Sequence, residues 1–276
     1  MRDQRAALAT MHGKLDQIAP AFREHLGWEL VQAEINTDQF GSFDGQTPRT
    51  LSPKDAAIAK ARAGAELLGA RFGIASEGTI GFHPAFPFTT SDAELIALVD
   101  LERNTNLVVS HISADIFANR LEVNRKASQH DLARAFDLPN HAVNLYLKIG
   151  PETKITKGIR DPGLLEELLA EAMAEEHDSL VIESDFRAMS SPSRQQNIAA
   201  CAEKMALRIA SLCPDCNYLG FGPTGFELGL ACSACGFEND HLPRAEIHSC
   251  LVCSFQRVIP LSTQEADPAS CMRCNP

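Results

Sequence analysis

The alternation of apolar and polar positions divides most of the chain into short elements. "AALAT" at 6–10 is an apolar run of strand length. Leu15, Ile18, Ala19, Phe22 and Leu26 then recur at helical spacing, up to a stop at Gly27, with Pro20 inside the pattern. "WELVQAEI" alternates as a strand does, and the polar, turn-rich "NTDQFGSFDGQTPRT" reads as a loop. "SPKDAAIAKARAGAELLG" carries the signals of a helix start: Ser52 as N-cap, Pro53 at the first helical position and Asp55 as its capping-box partner. Its many alanines predict a helix lying close on a sheet. "RFGIAS" is the next strand, and it runs into "SEGTIG".

"AELIALVDLE" and "NLVVSHIS" flank "RNTN", which predicts a hairpin. "KASQHDLARAFDL" reads as a helix, "HAVNLYLKIG" as a strand, Asp161-Pro162 as the start of another helix, and "SLVIES" as another strand. Ser191-Pro192 opens a helix running to about Leu212. Helices and strands alternating in this way predict an α/β fold, a mixed sheet flanked by helices, over residues 1–212.

Beyond residue 212 the pattern changes. Eight of the nine cysteines lie there, as Cys213-x-x-Cys216, Cys232-x-x-Cys235, Cys250-x-x-Cys253 and Cys271-x-x-Cys274. A CxxC turn presents two thiolates on one side of a tight loop, and two such turns complete a tetrahedral Zn–S₄ site. Four pairs predict two structural zinc ions in a small double zinc-ribbon domain over 213–276. "FGPTGFELGLAC" and "SFQRVIPL" read as strands feeding the second pair of each ribbon. They favour sequential pairing, with Cys213, Cys216, Cys232 and Cys235 on one ion and Cys250, Cys253, Cys271 and Cys274 on the other. A cross-braced pairing, first with third and second with fourth, also satisfies the spacing. His241 and His248 read as surface groups, and Cys201 as a small core residue.

Charge narrows the partners. The net charge is −11, and no Lys/Arg-rich run occurs, which argues against nucleic acid. The tail carries three arginines, no lysine and seven acids, so a protein contact suits it better than phosphate backbone. The longest apolar runs fall short of the ~20 residues of a membrane span, and the N-terminus lacks a secretory pattern, so a cytoplasmic protein is expected.

One constellation carries candidate chemistry. Lys14 follows the first strand at a helix start, where free N–H groups favour an anion. Asp38, with Asp44 as an alternative, lies in the loop after the second strand, and Glu77 follows the third. Loops at the carboxyl ends of parallel strands form the usual crevice in such sheets. Glu77 and Asp38 would share Mg²⁺ there, with Lys14 on a phosphorylated small molecule. His12 and His83 read as ordinary loop residues. A second charged cluster, "ESDFRAMSSPSR", places Arg187 and Arg194 at a strand-to-helix turn, as a phosphate clamp or as an internal salt-bridge set. Ser190 and Ser191 are not expected as nucleophiles, because no G-x-S-x-G elbow surrounds them.

The order "ATMHGK", "DQFGSFDG", "AAIAKARAGAELL", "FGIASEGTIG" resembles the inosine/xanthosine triphosphatase superfamily over roughly the first 80 residues. That resemblance implies Lys14 on phosphate and Glu77, with Asp38, on metal. Over nearly its whole length, with "ATMHGK", "NTDQFGSF", "ASEGTIGFHP", "ESDFRAMSSPSR" and "SLCPDC", the chain is similar to an uncharacterised bacterial family known as a domain of unknown function. Two functions are expected from this reading. One is an Mg²⁺-dependent nucleoside triphosphate or phosphate-ester hydrolase using Glu77, Asp38, Lys14, Arg187 and Arg194. The alternative is a non-catalytic ligand-binding adaptor whose zinc ribbons dock a protein partner.

Overall fold

The computed structural model describes residues 4–11, 13–36, 50–123 and 129–276. His12, Asp38 and Asp44 lie outside them.

The first sheet has the order β2-β1-β3-β4-β5. Its strands are β1 (Arg5–Ala9), β2 (Glu29–Ala33), β3 (Phe72–Phe82), β4 (Thr90–Asp100) and β5 (Thr105–Ser113). β1 is parallel to both β2 and β3, whereas β3–β4–β5 is antiparallel, so the sheet is mixed as expected. Helix α1 (Leu15–Leu26) buries Ile18, Ala21 and Phe22 and ends at Gly27, whose left-handed backbone lets its N–H close the last turn. α2 (Pro53–Leu68) starts where Ser52 accepts the Asp55 N–H at 3.1 Å.

The two faces of this sheet are covered differently. Phe72 and Ile74 of β3, with Ile96 and Leu98 of β4, share a core with α1 and with α5 (Pro192–Ala210). The alternate residues, Ala75 and Val99, pack with Ala61 of α2. This approach is close. A Cβ on Gly73 would drive into the Ala61 carbonyl, and one on Gly64 would stand 3.1 Å from Ala9 Cβ. Small residues on both surfaces are therefore what lets α2 seat.

A second, wholly antiparallel sheet, order β6-β9-β7-β8, was not foreseen from the sequence. It comprises β6 (Arg120–Glu122), β7 (Val143–Ile149), β8 (Glu152–Ile159) and β9 (Ser179–Ser184). Val143, Leu145, Leu147 and Ile182 form its core with Leu165 and Leu169 of α4 (Pro162–Ala174) and Leu132 of α3 (Gln129–Ala135). β6 and β8 are short or strongly polar, which hides them from an apolar-pattern reading.

The cysteine-rich segment forms a third sheet, β10 (Gly222–Ala231), β11 (Glu238–Ser249) and β12 (Gln256–Pro260), in that order and antiparallel. It is tied to the first sheet and to α5. Tyr218 donates to Asp100 at 2.7 Å, Arg208 Nε donates to the Gly220 carbonyl at 2.9 Å, and Leu219 joins the core that contains Leu107. Among the described residues no helix is long and apolar enough to cross a membrane.

Candidate functional sites

The cysteines form two four-sulfur clusters, Cys213, Cys216, Cys250 and Cys253, and Cys232, Cys235, Cys271 and Cys274. The pairing is cross-braced, which corrects the sequential expectation. β10 carries the chain away from the first CxxC turn to the second, and β11 carries it back to the third. Gly222 accordingly pairs with Ser249 at one end, and Ala231 with Glu238 at the other. A strand of that length separates the first two turns by about 30 Å at ~3.4 Å per residue, too far for one ion. Within the clusters, Sγ–Sγ distances are 3.6 Å for Cys213–Cys253 and 3.5 Å for Cys216–Cys250. They are 3.9 Å for Cys232–Cys274 and 3.8 Å for Cys235–Cys271. A tetrahedron with Zn–S of about 2.3 Å has edges near 3.8 Å. The donor set and its spacing fit zinc in both clusters, and the Val252 and Cys253 N–H groups point at Cys250 Sγ as they do around a bound thiolate.

The second polar centre lies at the carboxyl end of β1, where β2 and β3 depart to opposite sides. Glu77 is not in a loop. β3 continues through it, and Glu77 pairs with Leu95 of β4. Alternation along β3 sends Gly73, Ala75 and Glu77 toward α2 and Ser76 toward α1. Glu77 therefore meets Lys60, and the two form a buried ion pair. The cation opposite this acid is an ammonium. Lys14, at the N-cap of α1, is buried on the other face and donates to Ser76 Oγ at 2.9 Å and to the Ser76 carbonyl at 3.3 Å. Burial, and then the Arg194 guanidinium, push its pKa down to about 8.

Alternation along β4 adds two acids on the face of Ile96 and Leu98. Glu94 Oε1 accepts from Arg194 Nε at 2.6 Å, both groups being fully buried. Asp92 Oδ2 accepts from Asn197 of α5 at 3.0 Å. Asp92 is pushed up to about 7 by burial and by the nearby Glu94 charge. Asp92 Oδ1 and Glu94 Oε2 have no donor among the described residues, in keeping with the raised pKa of Asp92.

Lys14, Glu77 and Arg194 thus come together, joined by Lys60, Glu94 and Asp92, which sequence reasoning did not single out. Arg194 also donates to the Phe186 carbonyl. Arg187 turns elsewhere. It pairs bidentately with Asp185 at 3.0 and 2.6 Å, beside Gly158 of β8. The internal salt-bridge alternative for "ESDFRAMSSPSR" describes Arg187, whereas the ion pair of Arg194 is with Glu94 of β4, outside that segment. Among the described residues the only clusters of three or more acids, cysteines or histidines spaced for a metal are the two cysteine sets.

No curated protein and no solved structure matches the chain. Residues 60–276 match the family model described as "Domain of unknown function (DUF6671)", a span that takes in Lys60, Glu77, Glu94, Arg194 and all eight paired cysteines, and the chain belongs to that family.

Proposed function

We propose that the crevice at the carboxyl ends of β1, β2 and β3 binds a phosphorylated small molecule, and that the chain hydrolyses it as a nucleoside triphosphate or related phosphate ester. One observation carries this reading. Lys14 is a buried ammonium at a helix start whose hydrogen bonds go to the uncharged Ser76. The nearby carboxylates Glu94 and Glu77 are already paired with Arg194 and Lys60, so this third buried cation is under-compensated. An anion delivered by a ligand offsets that cost, and the first turn of α1 adds its N–H groups.

Glu77 and Lys60 sit beside this position as a pair that a ligand can exchange, Lys60 turning to a phosphate oxygen and Glu77 to a ligand-borne cation. Mg²⁺ would supply charge neutralisation for the phosphates and an acidified water. Asp38 is the second carboxylate in this scheme. The nucleotide form of the reading rests on the motif order of the first 80 residues alone.

A screen of nucleoside triphosphates with Mg²⁺ tests it. Turnover is expected in the native chain, and its loss in Lys14→Ala and Glu77→Gln. Turnover that survives both substitutions overturns the site. A second reading, a ligand-binding adaptor, draws on the exposed Phe226, Leu228, Val258 and Ile259 of β10 and β12, apolar side chains suited to a protein partner. Ligand-induced thermal stabilisation without turnover would favour it.

A further inference from the structure

We propose that Ser193, His141 and Asp137 form a nucleophilic triad that transfers the acyl group of a carboxylic ester to water. The three residues lie where the connection after α3 meets the first turn of α5, with Ser193 immediately before Arg194 of the Lys14 cluster. His141 Nδ1 lies 2.8 Å from Asp137 Oδ2, and His141 Nε2 lies 3.1 Å from Ser193 Oγ. Those are the contacts a serine nucleophile needs with its base, and the base with its orienting carboxylate.

The surrounding hydrogen bonds are compatible with a serine hydroxyl that donates to the imidazole. The Phe117 N–H donates to Ser193 Oγ at 3.1 Å and occupies one oxygen lone pair, and Ser191 Oγ lies 3.4 Å from the same oxygen. The Ser193 N–H also points at Nε2, at 3.4 Å. The Ser193 N–H favours Nε2 as the acceptor, the tautomer that carries the imidazole proton on Nδ1, toward Asp137. Hydrogen bonds from His141 and Asn140 hold the Asp137 carboxyl below the usual carboxylate range. The Phe117 ring stacks on the imidazole at 4.6 Å.

The support is rigid. The Ala142 N–H donates to the Ser190 carbonyl at 3.0 Å, and the Asp185 N–H donates to the Ala142 carbonyl at 2.8 Å. Arg160 spans both segments, donating to the Asn140 carbonyl at 2.6 Å and to the Met189 carbonyl at 2.7 Å. Ser193 is half-buried in the first turn of a 19-residue helix, near its positive end.

In the first half-reaction Ser193 Oγ bonds to the ester carbonyl carbon as its proton passes to His141 Nε2. The carbon–alkoxy bond then breaks, and the leaving alcohol takes that proton. In the second, water attacks the Ser193 ester through the same base. The carboxylic acid leaves, and Oγ recovers its hydrogen. His141 is the catalytic base, and Asp137 is a positioning residue.

The test uses the zinc-loaded full chain with a fluorophosphonate probe and with p-nitrophenyl butyrate. One adduct per chain is expected, located on Ser193 by peptide mass, together with ester hydrolysis. Ser193→Ala loses both in a chain that still folds cooperatively, with a modest fall in melting temperature because the Phe117 N–H loses its acceptor. Asp137→Asn leaves the serine in place but slows labelling by about 100-fold or more, a rate effect that a purely structural hydrogen bond would not give. No adduct on the native chain, or labelling equally fast in either variant, overturns the proposal.

Discussion

The cysteine segment and the charged cluster at the end of β1 are both polar centres built by strands, yet they are assembled in opposite ways. Each cysteine cluster draws its donors from two CxxC turns, so local spacing announces the ligands and only their partnership depends on the fold. The charged cluster draws on α1, α2, β3, β4 and α5, with Lys14 and Arg194 separated by 180 positions. No local spacing announces it. The energetics differ as well. A structural zinc contributes folding free energy of ~10–16 kcal/mol in finger peptides. A buried ion network contributes little net stability, although breaking it costs a great deal. The first centre acts as a staple, and the ligand proposed for Lys14 gives the second its reason for being kept inside a core.

The largest effect that can break this comparison comes from zinc counting. The native chain should hold about two zinc ions by the four-thiolate rule. Cys213→Ser with Cys250→Ser disables one cluster and should leave about one ion. Cys213→Ser with Cys232→Ser disables both and should leave none, with collapse of the segment's cooperative melting. The reverse pattern would restore sequential pairing. Next in size is Arg194→Met, which strands Glu94 in the core and should cost ~3–5 kcal/mol in denaturant unfolding. A loss below about 1 kcal/mol would mean that the pair is solvated, as surface pairs are.

Smaller still is a pH effect at Asp92. Its folded pKa, near 7, lies above the ordinary carboxylate value, so between about pH 4 and 7 the folded chain holds a proton that the unfolded chain has lost. Stability from this group is present at low pH and falls as pH rises, by at most about 1.4 kcal/mol per pH unit. Asp92→Asn keeps a donor toward Glu94 and should flatten that slope, gaining on the native chain at pH 8. Parallel stability curves for the two chains would place the shift elsewhere.

Much of the frame was readable in the sequence because it obeys simple periods. α2 announces itself by Ser52-Pro53, the β4–β5 hairpin by "RNTN", and α5 by Ser191-Pro192. What stayed hidden has identifiable causes. β8 carries Lys154 and Lys157 with little apolar alternation, so its strand character comes from pairing with β7. Glu77 reads as post-strand because glycines follow it, yet β4 supplies a partner for every residue to Phe82. Lys60 did leave a signal. It lies on the buried alanine stripe of α2, three residues after Ala57, where a lysine is out of place unless an acid faces it. Asp92 and Glu94 likewise sit in phase with Ile96 and Leu98, charges on the apolar side of a strand. Charged residues that break an apolar period were the readable trace of this site, and loop position was the misleading one.

The central claim is that Lys14 is a cation kept buried for an anionic ligand. Calorimetric titration with inorganic pyrophosphate, in the native chain and in Lys14→Met, tests it most directly. The account predicts saturable binding in the native chain. It predicts loss of that binding in Lys14→Met, whose melting temperature should equal or exceed the native value because an ill-matched buried charge is gone. Equal affinity in the two proteins, or no binding by the native chain to pyrophosphate or to any nucleotide, would contradict it.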